Sequence, residues 1–124
     1  MSAYTLEFFE DDNGREPVRD WIRNALSPED RRTVGAAMRE ILQEHGVTVC
    51  GTRFGRQLGH GLFEFRLREE HLLVRVFCHA YADRVVLLLG AYDKGRNPSE
   101  RRQNREIEIA RARLAEWRAR QQRS

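Results

Sequence analysis

The chain has 124 residues, of which 40% are hydrophobic and 33% charged, and this composition predicts one globular domain spanning residues 1–124. Its 22 Lys and Arg residues outnumber 19 Asp and Glu residues, and the formal net charge of +3 is compatible with an anionic partner. No run of about 18 apolar residues occurs, so no membrane-spanning helix is predicted. No secretory signal is visible, and two cysteines are too few for a disulfide scaffold, which predicts a reducing, cytoplasmic location.

The first third of the chain predicts a strand followed by two helices. Apolar residues alternate with polar ones over residues 4–10, which is typical of a strand. Pro17 suits the first position of a helix whose apolar residues recur at helical spacing. Ser27 is a suitable cap for a second helix, which is expected to end near Gly46. The short link between the two helices predicts a helical hairpin.

Residues 47–61 contain four glycines and several basic side chains. This pattern predicts a mobile basic loop, with room for one short strand. An ordinary surface loop is the alternative interpretation.

The second half predicts three strands joined by short turns, over residues 62–68, 72–80 and 84–92. Turns this short imply an antiparallel meander. A last helix follows, with Asn97 as its expected cap, Glu100 reaching back to that cap, and a tail from Arg118 that frays. The predicted order is strand, helix, helix, three-stranded antiparallel meander and C-terminal helix. With the helices on one side of the sheet, this is an α+β fold.

Strand alternation sorts the side chains of the meander onto two faces. If the apolar sets pack on the helices, the opposite face gathers Glu64, Arg66, Arg68, Arg75, His79, Arg84 and Tyr92, together with Phe77 and Leu88. Such a cationic face suits RNA, because guanidinium groups bind phosphates in pairs and aromatic rings stack on bases. The alternative is a set of cross-strand ion pairs on a solvated face.

Cleavage of RNA without a metal needs a base for the 2′-hydroxyl, cations for the charged phosphorane and an acid for the leaving 5′-oxygen. We expect Arg66 and Arg75 to hold the phosphate. Further RNA contacts are predicted from the basic loop, the sheet face and the loop after the last strand, namely Arg53, Arg56, His60, Arg68 and Arg96.

The proton-transfer roles stay open between several side chains. Glu64 or His79 is the candidate base, and Tyr92, His79 or Lys94 is the candidate acid. The spacing of histidines and cysteines matches no zinc pattern, and the glycines form no phosphate-binding loop. Neither a metal nor a cofactor is therefore predicted.

Four segments of the second half form a recognisable series. They are a Gly-Leu-Phe-Glu-Phe-Arg strand at 61–66, a Val-Arg-Val-Phe strand at 74–77, a leucine-rich strand ending in Tyr-Asp-Lys at 86–94, and a helix opened by Pro98 that contains Glu-Ile-Glu-Ile-Ala. Together they resemble the phage-derived RelE/HigB-like toxin family over residues 58–117.

The resemblance implies a RelE-like fold and the toxin of a type II toxin–antitoxin pair. Such toxins are commonly metal-independent endoribonucleases that cut mRNA on translating ribosomes. The implied partners are mRNA, the ribosome and a small antitoxin, often of the helix-turn-helix type. The toxin contacts operator DNA only through this antitoxin.

On this resemblance, Glu64 and Arg66 fall on the family's strand glutamate and arginine, and Arg75 falls on its second-strand arginine. Tyr92 replaces the usual phenylalanine. Lys94 matches the first lysine of the family's pair, and the glycine after it removes one phosphate contact. A relative in the wider superfamily poisons DNA gyrase by binding, so a non-nuclease toxin of ParE type is the alternative. The proton-transfer groups on the face favour the nuclease; a prophage remnant that only binds its antitoxin is a third interpretation.

Overall fold

The computed structural model describes residues 3–123 and confirms the predicted α+β fold. The strands are β1 (Thr5–Phe8), β2 (Gly55–Gly59), β3 (Leu62–Glu69), β4 (Leu72–Tyr81) and β5 (Val85–Asp93). The helices are α1 (Pro17–Ala25), α2 (Pro28–Ala37), α3 (Gln43–His45) and α4 (Glu100–Arg123), with a π-helical turn at Met38–Leu42 and a 3-10 turn at Gly46–Val49. The sheet order is β1-β5-β4-β3-β2; β1 runs parallel to β5, and all other neighbours are antiparallel.

The helices of the first half begin and end where the sequence predicts. Pro17 opens α1, and Ser27 Oγ accepts a 3.1 Å hydrogen bond from the Asp30 N–H at the start of α2. Gly46 ends the helical stretch with a φ of 54°, and a Cβ there would lie 2.5 Å from the Tyr4 ring. Both the backbone conformation and the close approach therefore require glycine at this position.

One hydrophobic core lies between the sheet and the helices of the first half. α1 and α2, with the π-helical turn, bury Val18, Val34, Met38 and Leu42. The sheet side of this core consists mainly of Phe63, Phe65, Leu67, Val74, Val76, Cys78, Val86 and Leu88.

Helix α4 packs on the opposite face of the sheet, so the expectation that all helices lie on one side is wrong. Its buried residues Ala110 and Leu114 form a second core with Phe77, Leu87 and Leu89. β4 and β5 carry apolar side chains on both faces, and each face needs its own cover.

A β-bulge in β5 changes which of its residues face each core. Phe77 pairs with Gly90, whereas the next residue of β4, Cys78, pairs with Leu88. Leu89 is therefore an extra residue, and the alternation of side chains along β5 changes phase there.

The change of phase corrects the predicted sheet face. Leu88, expected beside the arginines, is buried with Val86 in the first core. Leu87 and Leu89 lie instead with Tyr92 in the second core, under α4.

The glycine-rich segment, predicted as a basic loop with room for one short strand, contains the five-residue edge strand β2. Gly55 pairs with Phe65, and a Cβ at Gly55 would lie 2.8 Å from the Glu64 carbonyl oxygen. Glycine at this position lets β2 approach β3 closely.

Both ends of α4 differ from expectation. Ser99 Oγ, rather than Asn97, caps the helix by accepting a 3.1 Å hydrogen bond from the Arg102 N–H. The C-terminal residues continue the helix to Arg123 because Arg118 donates to the His60 carbonyl at 3.0 Å and Arg120 to the Glu10 carbonyl at 2.7 Å. No helix within residues 3–123 has the length and apolar character needed to cross a membrane.

Candidate functional site

A fully buried carboxylate lies among three arginines on the face of the sheet that α4 partly covers. Glu64 is 0% exposed, and its Oε2 accepts hydrogen bonds from Arg66 Nε at 2.8 Å and Arg56 Nε at 3.2 Å. Arg75 Nε lies 3.8 Å from the same oxygen. The strand pairing produces this arrangement, because Arg56 lies opposite Glu64 and Arg75 lies opposite Arg66. One carboxylate thus orients three guanidinium groups.

Arg66 and Arg75 border an open cavity of about 290 Å³, lined by Arg53, Phe54, Arg66, Arg68, Leu73 and Arg75. We call it the arginine cavity. The side chain of Arg66 is 32% exposed and that of Arg75 is 10% exposed. Burial lowers the pKa of Arg75; Glu64 opposes this effect and Arg66 adds to it. An arginine stays charged in proteins, so the cavity presents fixed positive charge suited to a phosphate group.

Tyr92 lies behind the arginines, opposite Arg75 in the β4–β5 pairing. It is 1% exposed, its ring stacks on Phe77 with a centroid distance of 6.2 Å, and the Arg102 guanidinium carbon lies 5.7 Å from its ring centroid. Burial raises the pKa of Tyr92, with Arg75 opposing and Glu64 adding to the shift. The phenol is therefore protonated at neutral pH and is a hydrogen-bond donor.

The polar atoms of this cluster are not all paired. Among residues 3–123, the buried side-chain atoms that lack a hydrogen-bond partner are Glu64 Oε1, Arg75 Nε and Tyr92 Oη. Native proteins pair nearly all buried polar groups, so these unpaired groups make the cluster a candidate functional site. The structure thus brings together Glu64, Arg66, Arg75 and Tyr92 from the predicted set of catalytic residues.

His79 lies outside this cluster. Its Nδ1 is 2.8 Å from the Gly61 carbonyl oxygen, and its ring contacts Trp117 edge-on at 5.5 Å. His79 follows Arg75 by four residues along β4, a separation of roughly 13 Å in a strand. Arg84, also expected on the sheet face, lies in the β4–β5 turn with a φ of 64° and donates to the Ala3 carbonyl at 3.5 Å.

The predicted RNA-binding residues fall into separate places. Arg53 and Arg68 line the arginine cavity, and Arg56 contacts Glu64 beside it. His60 lies in the β2–β3 turn and lines a different cavity, next to α4. Arg96 lies 3.8 Å from Asp93 Oδ2 and lines a third cavity, at the start of α4.

Lys94, the remaining candidate acid, directly follows β5. Its backbone N–H donates a 2.8 Å hydrogen bond to the carbonyl of Leu73, a residue that lines the arginine cavity. The backbone of Lys94 is therefore close to the end of this cavity.

Phe54 belongs to the arginine cavity and was missed by the sequence interpretation. The signal was present, since an aromatic residue lies between Arg53 and Arg56 in the basic segment. Basic residues interleaved with an aromatic one are typical of surfaces that bind single-stranded nucleic acid. Within residues 3–123, no group of three or more His, Cys, Asp and Glu side chains is placed to hold a metal ion.

The fold and the arginine cavity define a small α+β protein with a cationic cavity on one face of its sheet. The family model described as phage-derived protein Gp49-like (DUF891) matches residues 20–115, a range that contains every residue of the buried cluster. The chain therefore belongs to the Gp49-like family, a family of RelE/ParE-like toxins of toxin–antitoxin systems. No curated protein matches the chain significantly.

Proposed function

We propose that this protein is a RelE/HigB-like toxin of a type II toxin–antitoxin system that cleaves mRNA on translating ribosomes without a metal ion. The observation that carries the proposal is the pairing of Arg66 and Arg75 on adjacent strands, both held beside the buried Glu64 and both lining an open cavity. Membership of the Gp49-like toxin family supports it.

In this proposal the two arginines act on the scissile phosphate. Each guanidinium offers several donors in a fixed fork, which matches the oxygens of a phosphate. As the 2′-oxygen attacks, negative charge on the phosphorane increases, and a positioned cation stabilises that charge more than it stabilises the ground state. Arg53 and Arg68, on the rim of the cavity, would contact neighbouring phosphates.

In this proposal Tyr92 and Glu64 transfer the protons, because they are the two members of the cluster that can donate or accept one. Tyr92, protonated at neutral pH, is the proposed donor to the leaving 5′-oxygen. Glu64 Oε1, an acceptor without a partner, is the proposed base for the 2′-hydroxyl. Both groups are buried in the free protein, so bound RNA reaches them only when the partly exposed Arg66 side chain turns from Glu64 toward the phosphate that it binds.

The proposed partners beyond mRNA and the ribosome are an antitoxin, of the helix-turn-helix type, and operator DNA bound through it. The net charge of +3 and the arginine cavity favour an antitoxin with an acidic segment.

The experiment is a cell-free translation reaction with one defined mRNA, in which new RNA 5′ ends are mapped by primer extension. Purified protein is compared with its Arg75→Ala variant and with a reaction that lacks ribosomes. We expect new ends with the wild type only, and only when ribosomes translate. Absence of new ends while translation continues would contradict the nuclease.

A toxin of ParE type that inhibits DNA gyrase by binding is the second candidate. One observation favours it: the lining of the arginine cavity contains no carboxylate, imidazole or phenol, since Glu64 and Tyr92 are buried behind it. Inhibition of gyrase supercoiling by a protein that leaves mRNA intact would establish this candidate instead.

A further inference from the structure

Phe54 forms part of a wall between two cavities. Arg53, Phe54 and Arg68 line the arginine cavity, and the same three residues line a second cavity of about 490 Å³ that extends to α2. The ring of Phe54 packs partly on the first core and remains partly exposed. An aromatic surface thus adjoins the proposed phosphate site.

The backbone of Phe54 is tied to the strand that carries the arginines. Its carbonyl accepts a 2.8 Å hydrogen bond from the Arg66 N–H, and its N–H donates to Thr52 Oγ1 at 3.1 Å. Thr52 Oγ1 in turn donates to the Val49 carbonyl at 2.6 Å. These bonds hold Phe54 in place before a ligand arrives, which reduces the entropy lost on binding.

Arg53 adds a second planar group at the same place. Its guanidinium carbon lies 4.8 Å from the centroid of the Phe54 ring. Proteins that bind unpaired RNA stack its bases on aromatic rings and on guanidinium planes. In a nucleotide, one ribose separates the base from its phosphate. A phosphate bound by Arg66 therefore brings a base near Phe54, which lines the same cavity and whose carbonyl accepts the hydrogen bond from the Arg66 N–H.

We propose that Phe54, with Arg53, is a stacking subsite for an unpaired nucleobase of the RNA whose phosphate occupies the arginine cavity. The inference rests on the proposed function and adds to it the recognition of a base. The subsite takes a single-stranded nucleotide, because a base inside a duplex cannot reach the ring.

The test is fluorescence anisotropy with a labelled nine-nucleotide single-stranded RNA that is 2′-O-methylated and therefore uncleavable. The same strand with abasic residues serves as the matched probe. We expect Phe54→Leu to weaken binding of the base-bearing strand by roughly 5- to 100-fold, the range that loss of one base–aromatic stack gives. Phe54→Leu should leave binding of the abasic strand unchanged, and Phe54→Trp should preserve both affinities.

Phe54→Leu keeps an apolar side chain on the first core, and its unfolding midpoint in urea checks the fold. Arg53→Ala provides a second variant, because Arg53 is exposed and its removal does not open the core. Arg53→Ala should weaken binding of both strands, because Arg53 also contacts a phosphate in the proposed function, and should weaken binding of the base-bearing strand more than that of the abasic one. Equal effects of both substitutions on the two strands would overturn the subsite.

If the wild type cuts mRNA only on ribosomes and does not bind the free strand, the variants are compared by the toxin concentration that gives half-maximal cleavage. Phe54→Leu should raise this concentration at least 5-fold and Phe54→Trp should not; an unchanged value for Phe54→Leu overturns the subsite alone. A wild type that neither binds RNA nor cuts mRNA overturns the proposed function, and the subsite with it.

Discussion

Arg66 Nε donates a 2.8 Å hydrogen bond to Oε2 of Glu64, two residues earlier on β3. The carboxylate is entirely buried, whereas the arginine side chain is 32% exposed. A ligand in the arginine cavity therefore meets the guanidinium and not the carboxylate. Because Arg56 and Arg75 lie against the same carboxylate oxygen, the four side chains form one electrostatic cluster.

Glu64→Gln is expected to destabilise the fold. The substitution keeps the shape of the side chain but removes the negative charge that three guanidinium groups share. Breaking a buried ion pair by neutralising one partner costs about 3 kcal/mol. Urea unfolding followed by circular dichroism measures this loss.

Glu69→Gln is the matched control for Glu64→Gln. Glu69 lies on the same strand and is exposed, so its substitution should change the free energy of unfolding by less than about 0.5 kcal/mol. Equal stability of the two variants would show that the carboxylate does not hold the arginines together.

Arg66→Ala and Arg75→Ala are each expected to reduce the rate of mRNA cleavage by roughly 10²–10³, the effect of removing one positioned transition-state donor. Both variants lose part of the ion-pair cluster and should be less stable than the wild type, but they should remain folded because the apolar sets of both cores are unchanged. Single-turnover cleavage rates in the translation reaction measure the effect. Arg23→Ala, which removes an exposed arginine from α1 on the other side of the sheet, should cleave like the wild type. Full activity of both cluster variants would remove the arginine cavity from the mechanism.

The sequence predicts most elements of this fold because their signals are local. Ser27 caps α2 through its own side chain, and the apolar stripe that includes Ala110 and Leu114 repeats at helical spacing along α4. The two faces of β5 were not predictable, since residues 85–89 are all apolar and show no alternation. Only the pairing of Phe77 with Gly90 and of Cys78 with Leu88 reveals the bulge that changes the phase.

The candidate site was predictable only in part for a similar reason. The alternation of β3 and β4 correctly places Glu64, Arg66 and Arg75 on one face. Alternation assigns a residue to a face but not to a place along the strand. The four-residue separation of Arg75 and His79 corresponds to roughly 13 Å, so their spacing in the sequence already argues against His79 as a member of the cluster. The contact of Glu64 with Arg56 was not predicted, because it depends on the pairing of β2 with β3, and the bounds of a short strand in the glycine-rich segment do not follow from the sequence.

Tyr92→Phe is expected to change stability and activity in opposite directions. The substitution removes a buried hydroxyl that has no hydrogen-bond partner, so the free energy of unfolding should rise by about 1 kcal/mol. If Tyr92 donates the proton to the leaving oxygen, the cleavage rate should fall by about 10² or more. Urea unfolding and single-turnover cleavage on the same preparation measure the two effects.

Tyr81→Phe is the control for Tyr92→Phe. The Tyr81 hydroxyl donates to the Glu7 carboxylate at 2.9 Å, so its loss should lower stability by about 1 kcal/mol and leave cleavage unchanged. A stabilised Tyr92→Phe variant with wild-type cleavage would exclude the phenol as the acid.

Removal of metal ions from the protein is expected to leave cleavage unchanged, because guanidinium groups supply the positive charge in the proposed mechanism. The protein is treated with EDTA, desalted and compared with an untreated sample in the same translation reaction. The Mg²⁺ that ribosomes need is then equal in both arms. Activity that is lost on treatment and restored by zinc or manganese would overturn the metal-free mechanism.

The contact between His71 and Asp30 is expected to make stability depend on pH. His71 Nε2 lies 3.0 Å from Asp30 Oδ2, which links the β3–β4 turn to the start of α2. The hydrogen bond and charge of Asp30 raise the pKa of His71 above its ordinary value of 6.5; Glu70 adds to this shift and Arg96 opposes it.

A group whose pKa is higher in the folded state stabilises the fold when it is protonated. The contribution of His71 is therefore complete below about pH 6.5 and is lost as the pH rises through the raised pKa. His71→Gln should lower the melting temperature at about pH 6 and have little effect at about pH 9. A difference between wild type and His71→Gln that stays constant from pH 6 to pH 9 would show that the imidazolium–carboxylate contact does not form in solution.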